Sequence, residues 1–399
     1  MSEMNLGTSS IDSKQLSGDA IHVVFNAMSL RPGGGLTVLL GLIEGLTAQP
    51  AGTFRISVIC SADDTYAAIT SQNKANHVHV VCPNQGIFRR YLWSMTSMPK
   101  MVKRLEPDLF VSVTQFIAGI SCPQIVYHLN LLRFIPIDPT FSWKHRIAER
   151  IRNYTAVNAL KYASSNVFES SYLRECARKI DNSNSANDQV IYVGLPKQCQ
   201  GLPPVSSTDI KRNQIVSLTN PNPHKNNHTL LKMLADLVDR RPEVDWRLVI
   251  AGGANPEKWV PYQEYAEELG ILDRVEWLGF VNQEELTRQI RESLCLVTTS
   301  LVESFCMVAL ESMARGCPSI VAEITSMPES VGDAGLLAKP ENAVSFSDCV
   351  LQYYDDEDFR ADYISRGYAR VSEFSWEQCG SEFSQLFNSL LSAESAKQE

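Results

Sequence analysis

The chain has 399 residues, 44% of them hydrophobic and 20% charged, with a formal net charge of −9. That length exceeds what a single core usually supports, so two domains are expected, each large enough to bury its own interior. An acidic total disfavours a general nucleic-acid binder, which needs a basic surface to neutralise phosphates, and no stretch of 18 apolar residues marks a membrane span.

The first 18 residues are polar, without the basic and apolar regions of a secretory signal, and residues 1–19 are read as a tail. The ten cysteines are scattered without a close CxxC pair, which fits reduced thiols in the cytoplasm. Short β-branched runs then alternate with helix-length segments, the pattern of a parallel α/β fold. The first set of strands is expected at Ile21 to Asn26, Arg55 to Cys60, His77 to Cys82, Asp108 to Val113, Gln124 to Leu129, Ser165 to Phe168 and Gln189 to Val193. A Pro-, Gly- and Ser-rich stretch without periodicity follows. A second set is expected at Gln214 to Leu218, Arg247 to Ala251, Val275 to Gly279, Cys295 to Thr299, Ser319 to Ala322 and Gly335 to Leu337.

The expected fold is therefore α/β, with two Rossmann-like doubly wound domains facing a central cleft: 20–195, a linker at 196–212, and 213–374. A closing helix and polar tail occupy 375–399, where Trp376, Phe383, Leu386, Phe387 and Leu390 recur at helical spacing. Ligands of such folds sit at the carboxyl ends of the strands.

The residues that could carry chemistry cluster in the second set. Between Leu294 and Cys317 a strand meets a turn, LVESF, and then a helix, stopped by Gly316. Backbone N–H groups at Phe305, Cys306 and Met307, together with the positive helix end, are expected to meet a phosphate. Glu303 precedes the helix and Glu311 lies within it, about 7.5 Å further along the axis than Cys306. That is the reach from a diphosphate to the ribose of the same nucleotide. The plain alternative is a loop charge and a solvated helix face, but Glu311 lies among Val308, Ala309, Leu310, Met313 and Ala314, where a lone carboxylate needs a partner.

The run ESFCMVALESMARGCPSIVAE resembles the Glu, seven residues, Glu motif of the family 4 retaining glycosyltransferases, which have the GT-B fold. LTNPNPHKNNHTLL, WRLVIAGG, VEWLGFVNQEEL and MPESVGDAGLL look like the same family's C-terminal domain in the correct order. The resemblance is close over roughly 212–391 and looser before it. It implies Glu303 at the donor sugar and phosphate, Glu311 at the ribose, and Lys225 of PHKN at the diphosphate. Two positions depart from the pattern. Thr219 and Asn220 stand where family members often carry an arginine, and Cys306 stands where many have glycine, a residue that permits close backbone approach.

In the first half, Gly33, Gly34 and Gly35 lie between a strand and an apolar helix, where backbone N–H groups could meet an anion or sugar; a tight βα turn is the plain alternative. The resemblance places this loop against the donor from the opposite lobe. Its spacing is not GxGxxG, which counts against a nicotinamide enzyme. His128 ends the strand QIVYHLN and matches by position a family histidine near the reacting sugar. Asn130 stands where an acidic residue is common.

No metal is expected, since neither HExxH nor a clustered Cys/His set occurs. No cofactor is expected beyond the nucleotide-diphosphate sugar as co-substrate. Residues 88–107 carry five Lys or Arg against one acid, mixed with Phe88, Tyr91, Leu92, Trp93, Met95 and Met101, and 142–162 repeats the pattern with Trp143. Such stretches suit an anionic membrane surface; a solvated helix face is the plain alternative.

The sequence is thus read as a metal-independent retaining hexosyltransferase, moving a sugar from a nucleotide-diphosphate donor to a saccharide or lipid-linked acceptor in glycan biosynthesis. Its expected location is the cytoplasm, with peripheral contact on the inner face of the plasma membrane and no nucleic-acid partner. A GT-B-fold sugar phosphorylase or nucleotide-sugar epimerase is the nearest alternative, and a non-catalytic nucleotide-sugar scaffold the alternative of another class.

Overall fold

The computed structural model describes residues 20–398, apart from 29, 31–32, 61–63, 72–76, 81–86, 114, 137–142, 200, 204–209 and 254. The N-terminal tail and much of the expected linker therefore lie outside the described residues. The chain forms two compact units, one ending at Gly194 and regaining the chain from Phe374 onward, the other spanning Leu195–Glu373.

The first unit holds a seven-stranded sheet, β1 (Ile21–Asn26), β2 (Phe54–Cys60), β3 (His77–Val80), β4 (Leu109–Val113), β5 (Gln124–His128), β6 (Ser165–Phe168) and β7 (Asp188–Val190), in the order β3-β2-β1-β4-β5-β6-β7. Every pairing is parallel. The central strands are apolar throughout, as a sheet covered on both faces requires: all five residues of β4 are buried, as are all five of β5. The strand order reverses between β1 and β4, so the carboxyl ends of these strands flank the switch point where such sheets bind ligands.

The second unit holds β8 (Lys211–Leu218), β9 (Arg247–Ala251), β10 (Val275–Gly279), β11 (Ser293–Thr298), β12 (Ser319–Ala322) and β13 (Leu336–Ala338), also parallel, in the order β10-β9-β8-β11-β12-β13. Here the reversal falls between β8 and β11. The expected strands are all present, with ends shifted by a few residues where hydrogen bonding rather than hydrophobicity sets the limit.

The closing helix Trp376–Gln398 belongs to the first unit and packs against the Gly34–Thr47 helix. Small residues make this contact. A Cβ on Gly45 would lie 1.9 Å from the Trp376 carbonyl oxygen, one on Gly41 2.0 Å from the Trp376 ring, and one on Gly194 2.3 Å from the Trp376 nitrogen. The glycines let two backbones touch, and Phe383, Leu386 and Phe387 are buried along the same helix.

Candidate donor site

The site begins where β8 ends. Asn220 Oδ1 accepts the Asn222 amide at 3.0 Å, a side-chain turn that redirects the chain into the one-turn 3-10 helix Pro223–Lys225. Asn226 follows with φ 53°, a left-handed conformation that asparagine tolerates, and the Asn227–Arg240 helix starts from it. Thr219, in the region where the resemblance leads one to look for a second cation, bonds Asn227 Oδ1 at 3.0 Å, while Asn227 Nδ2 donates to the Asn220 carbonyl at 2.9 Å. These residues shape the turn.

The neighbouring strand end clamps the turn from the other side of the switch point. Thr299 Oγ1 donates to the carbonyls of Lys225 and Asn226 at 3.1 and 3.0 Å, and the Leu301 amide donates to the His224 carbonyl at 2.7 Å. Lys225 Nζ then donates to Glu303 Oε1 at 2.6 Å, with the two side chains 16% and 15% exposed. Lys225 and Glu303, expected at the same ligand, are thus in direct contact. Glu303 is the ammonium's one ion-pair partner among the described residues, which leaves N–H groups for a further acceptor.

The Glu303–Cys306 loop is held by a segment to which the sequence reading assigns no role. The Glu303 amide faces Thr325 Oγ1 at 3.4 Å, Ser326 Oγ donates to the Glu303 carbonyl at 2.9 Å, and Ser330 Oγ accepts the Cys306 amide at 3.1 Å. Ser326 and Ser330 are fully buried. The hydroxyl spacing in TSMPES was the available signal; the packing partner was not.

The backbone N–H groups of Cys306 and Met307, expected with that of Phe305 to meet a phosphate, bond within the chain: the first donates to Ser330 Oγ at 3.1 Å and the second to the Phe305 carbonyl at 2.9 Å. Cys306, with φ −82° and ψ 68°, sits in the inverse γ-turn that this bond closes, and the Met307–Ala314 helix starts directly after it. These dihedrals suit any L-residue, so cysteine replaces the common glycine without strain. Its side chain is 1% exposed, and burial pushes the thiol up to about 12, so it is a neutral packing group.

Glu311, on the same helix, is 19% exposed at its side chain. Burial raises its carboxyl above the usual range, an effect that Arg315 offsets only in part. The partner that a lone carboxylate required is Arg315, 3.4 Å away and itself fully buried.

Comparison with known proteins bears on this unit. Residues 203–370 match the family described as Glycosyl transferases group 1. The matched stretch lies within the second unit, Leu195–Glu373. The chain is 30% identical over 181 residues to a D-inositol 3-phosphate glycosyltransferase of Corynebacterium glutamicum, covering 44% of this chain and 43% of that protein. It is 33% identical over 158 residues to the O-antigen chain mannosyltransferase B of Escherichia coli, covering 39% and 41%. The chain thus aligns with less than half the length of these curated relatives. Across both units the fold is similar to Anabaena HepE, solved with UDP and glucose (TM-score 0.71, 21% identity, covering 92% of this chain and 99% of that one), and to WaaG, a glycosyltransferase of lipopolysaccharide biosynthesis (TM-score 0.68, 12% identity, 92% and 99%). The architecture is GT-B. The matched residues include Lys225, Glu303, Cys306 and Glu311, the positions quoted for the resemblance.

In the first unit, Gly33 takes φ 139° and caps the Gly34–Thr47 helix, its carbonyl accepting the amides of Leu36 and Thr37 at 3.1 Å. A Cβ on Gly34 would meet nothing within 4 Å, and one on Gly35 would lie 3.1 Å from Leu30 Cδ2. His128 ends β5, as read, but is 1% exposed. Its Nε2 lies 3.0 Å from Asn166 Oδ1, its ring stacks on Phe168 at 4.8 Å and meets the edge of Phe134 at 5.2 Å. Burial drives its pKa down to about 4. Asn130 acts locally, its Oδ1 accepting the Leu132 amide at 2.9 Å and so capping the turn Leu131–Arg133.

Of the basic, aromatic stretches, Ser142 and the side chains of Phe88, Arg89, Arg90, Tyr91 and Trp143 lie outside the described residues. Trp93 and Met101 are not surface groups; they pack against the core cluster of Met98, Val102 and Phe110. Exposed are Leu92, Ile147, Tyr154 and Tyr162, with Lys100, Lys103, Arg104, Arg146, Arg150 and Lys161. Among the described residues, no helix is long and apolar enough to cross a membrane.

Proposed function

We propose that the protein is a retaining, metal-independent hexosyltransferase that moves a sugar from a nucleotide-diphosphate donor to a saccharide or lipid-linked acceptor. The carrying observation is the Lys225–Glu303 pair, set beside the helix that presents Glu311 in a group 1 domain. The relatives named as transferases of inositol phosphate and of an O-antigen chain favour transfer over phosphorolysis, epimerisation or a scaffold role. The HepE structure with UDP and glucose supports a nucleotide-sugar donor.

In this reading Glu311 accepts the ribose hydroxyl protons, Lys225 holds the diphosphate and Glu303 faces the sugar. The acceptor oxygen attacks the anomeric carbon on the face from which the diphosphate leaves; the bond to the phosphate oxygen breaks, and that oxygen takes the acceptor proton. Lys225 offsets the charge that develops there, as a metal ion does in other enzymes. His128, a neutral ring at ordinary pH, serves the first unit by position and packing; Gly34 leaves its backbone open to approach, while Gly35 packs close to Leu30.

The test is transfer from UDP-, GDP- and ADP-hexoses with the anomeric configuration of the product read by NMR. Retention, persisting in excess EDTA, is expected; an inverted product, or loss in EDTA restored by manganese, overturns the respective part. We also propose that the exposed basic residues of the first unit attract an anionic membrane, each contributing about 1 kcal/mol. Sedimentation with anionic liposomes at low salt should fall for the triple variant Lys100→Glu, Lys103→Glu, Arg104→Glu. Equal sedimentation of variant and parent overturns the membrane contact.

A further inference from the structure

Arg315 is among the largest fully buried side chains of the molecule, although arginine is seldom buried without a carboxylate beside it. Its donors are distributed over three elements. Nε donates to Thr287 Oγ1 at 3.2 Å and Nη2 to Gln283 Oε1 at 3.4 Å, both on the Gln283–Glu292 helix. Nη1 donates to the Glu311 carbonyl at 2.9 Å and approaches Glu311 Oε2 at 3.4 Å. The thiol of Cys199, itself 0% exposed, lies close enough to feel the same charges: burial, followed by the charge of Glu311, pushes it up to about 12 while Arg315 acts in the opposite direction.

This arrangement exceeds what helix packing needs. An uncharged residue would fill the volume without the desolvation cost of a guanidinium, whereas this one is fixed on the neighbouring helix and directed at a carboxylate whose pKa burial raises. Glu311 must be ionised, and held in one rotamer, to accept two hydroxyl protons at once.

We propose that Arg315 is a positioning residue for Glu311: anchored by Thr287 and Gln283, it holds the Glu311 carboxylate in the orientation that meets the two ribose hydroxyls of the nucleotide. This rests on the reading of Glu311 as the ribose acceptor. Its consequence is a specificity: discrimination between ribose and 2′-deoxyribose should depend on a side chain that touches neither sugar.

The experiment is isothermal titration of the full chain with whichever of UDP, GDP and ADP binds it, and with the matching 2′-deoxynucleotide. The parent should prefer the ribonucleotide, and Glu311→Gln should abolish the preference. Arg315→Met should reduce the preference about tenfold, within the range by which neighbouring charged groups couple, with Arg315→Lys restoring part of it. Because removing the cation raises the Glu311 pKa, the preference in Arg315→Met should also disappear at a higher pH than in the parent. Should Arg315→Met fail to fold, Thr287→Val, which frees one anchor and keeps the charge, should show a smaller loss in the same direction. If Arg315→Met, or Thr287→Val in its place, weakens both nucleotides equally or neither, the positioning role is overturned while the ribose reading stands. If the parent does not discriminate, or Glu311→Gln does not change the preference, the ribose reading itself fails.

Discussion

The two units place titratable groups at the carboxyl ends of similar parallel sheets and treat them in opposite ways. In the second, Lys225 and Glu303 meet each other while about 15% of each side chain still reaches solvent. In the first, His128 is enclosed by Phe134, Phe168 and Asn166, and its charge is suppressed. A pair of opposite charges tolerates partial burial because each offsets the other's desolvation; a lone imidazole loses its proton instead. One unit thus keeps an ion pair at its strand ends and the other an apolar enclosure.

The largest expected effect breaks the charged side of this contrast. Lys225→Ala should lower the rate of sugar transfer by about 10² to 10³-fold, the usual cost of removing a group that stabilises developing negative charge, with a smaller change in donor affinity. A rate within about threefold of the parent would show that the diphosphate is held elsewhere.

Next in size is the packing of the first unit. Gly45→Ala would bring a methyl to 1.9 Å from the Trp376 carbonyl, a clash with backbone that cannot be relieved by rotating a side chain. The loss should be about 2 to 3 kcal/mol in chemical denaturation, with separation of the C-terminal helix from the Gly34–Thr47 helix. Gly34→Ala, where a Cβ meets open space, is the control and should leave stability unchanged.

The pH dependence of the first unit sharpens the contrast further. His128 has its pKa depressed from 6.5 to about 4, so between those values the unfolded chain binds a proton that the folded one does not. Its contribution is therefore fully present above pH 6.5 and declines as pH falls toward 4, by about 3 kcal/mol in all. Urea unfolding at pH 7 and pH 5 should show a smaller drop for His128→Gln than for the parent. An equal drop would mean the ring is hydrated in solution.

The smallest effect concerns Cys306. At φ −82° glycine gains nothing, so Cys306→Gly should cost about 1 to 2 kcal/mol through backbone entropy and lost packing and leave nucleotide affinity unchanged. Tighter binding in the variant would show that the thiol narrows the site.

Much of this was legible along the chain. Strand positions follow from apolar runs bounded by turns, because a strand covered on both faces must be apolar over its whole length; Glu303 and Glu311 stand out by their spacing, and Lys225 by the resemblance of PHKN. Other features depend on contacts between distant residues. The pairing of Lys225 with Glu303 spans 78 positions and requires β8 and β11 to be neighbours, which strand order decides. The occupation of the Cys306 and Met307 amides by Ser330 and Phe305 could not be read from a helix start, since a helix end does not say which hydroxyl is packed against it. Trp93 looked like a surface aromatic among basic residues, but its side chain turned to the core. The sequence by itself determined two parallel α/β units and the residue types of the donor site, because periodicity and local turn chemistry are properties of short segments. Only the tertiary structure decided which charges are paired, which amides are satisfied and that Arg315 stands behind Glu311, because burial and hydrogen bonding are settled by residues that the chain brings together from afar.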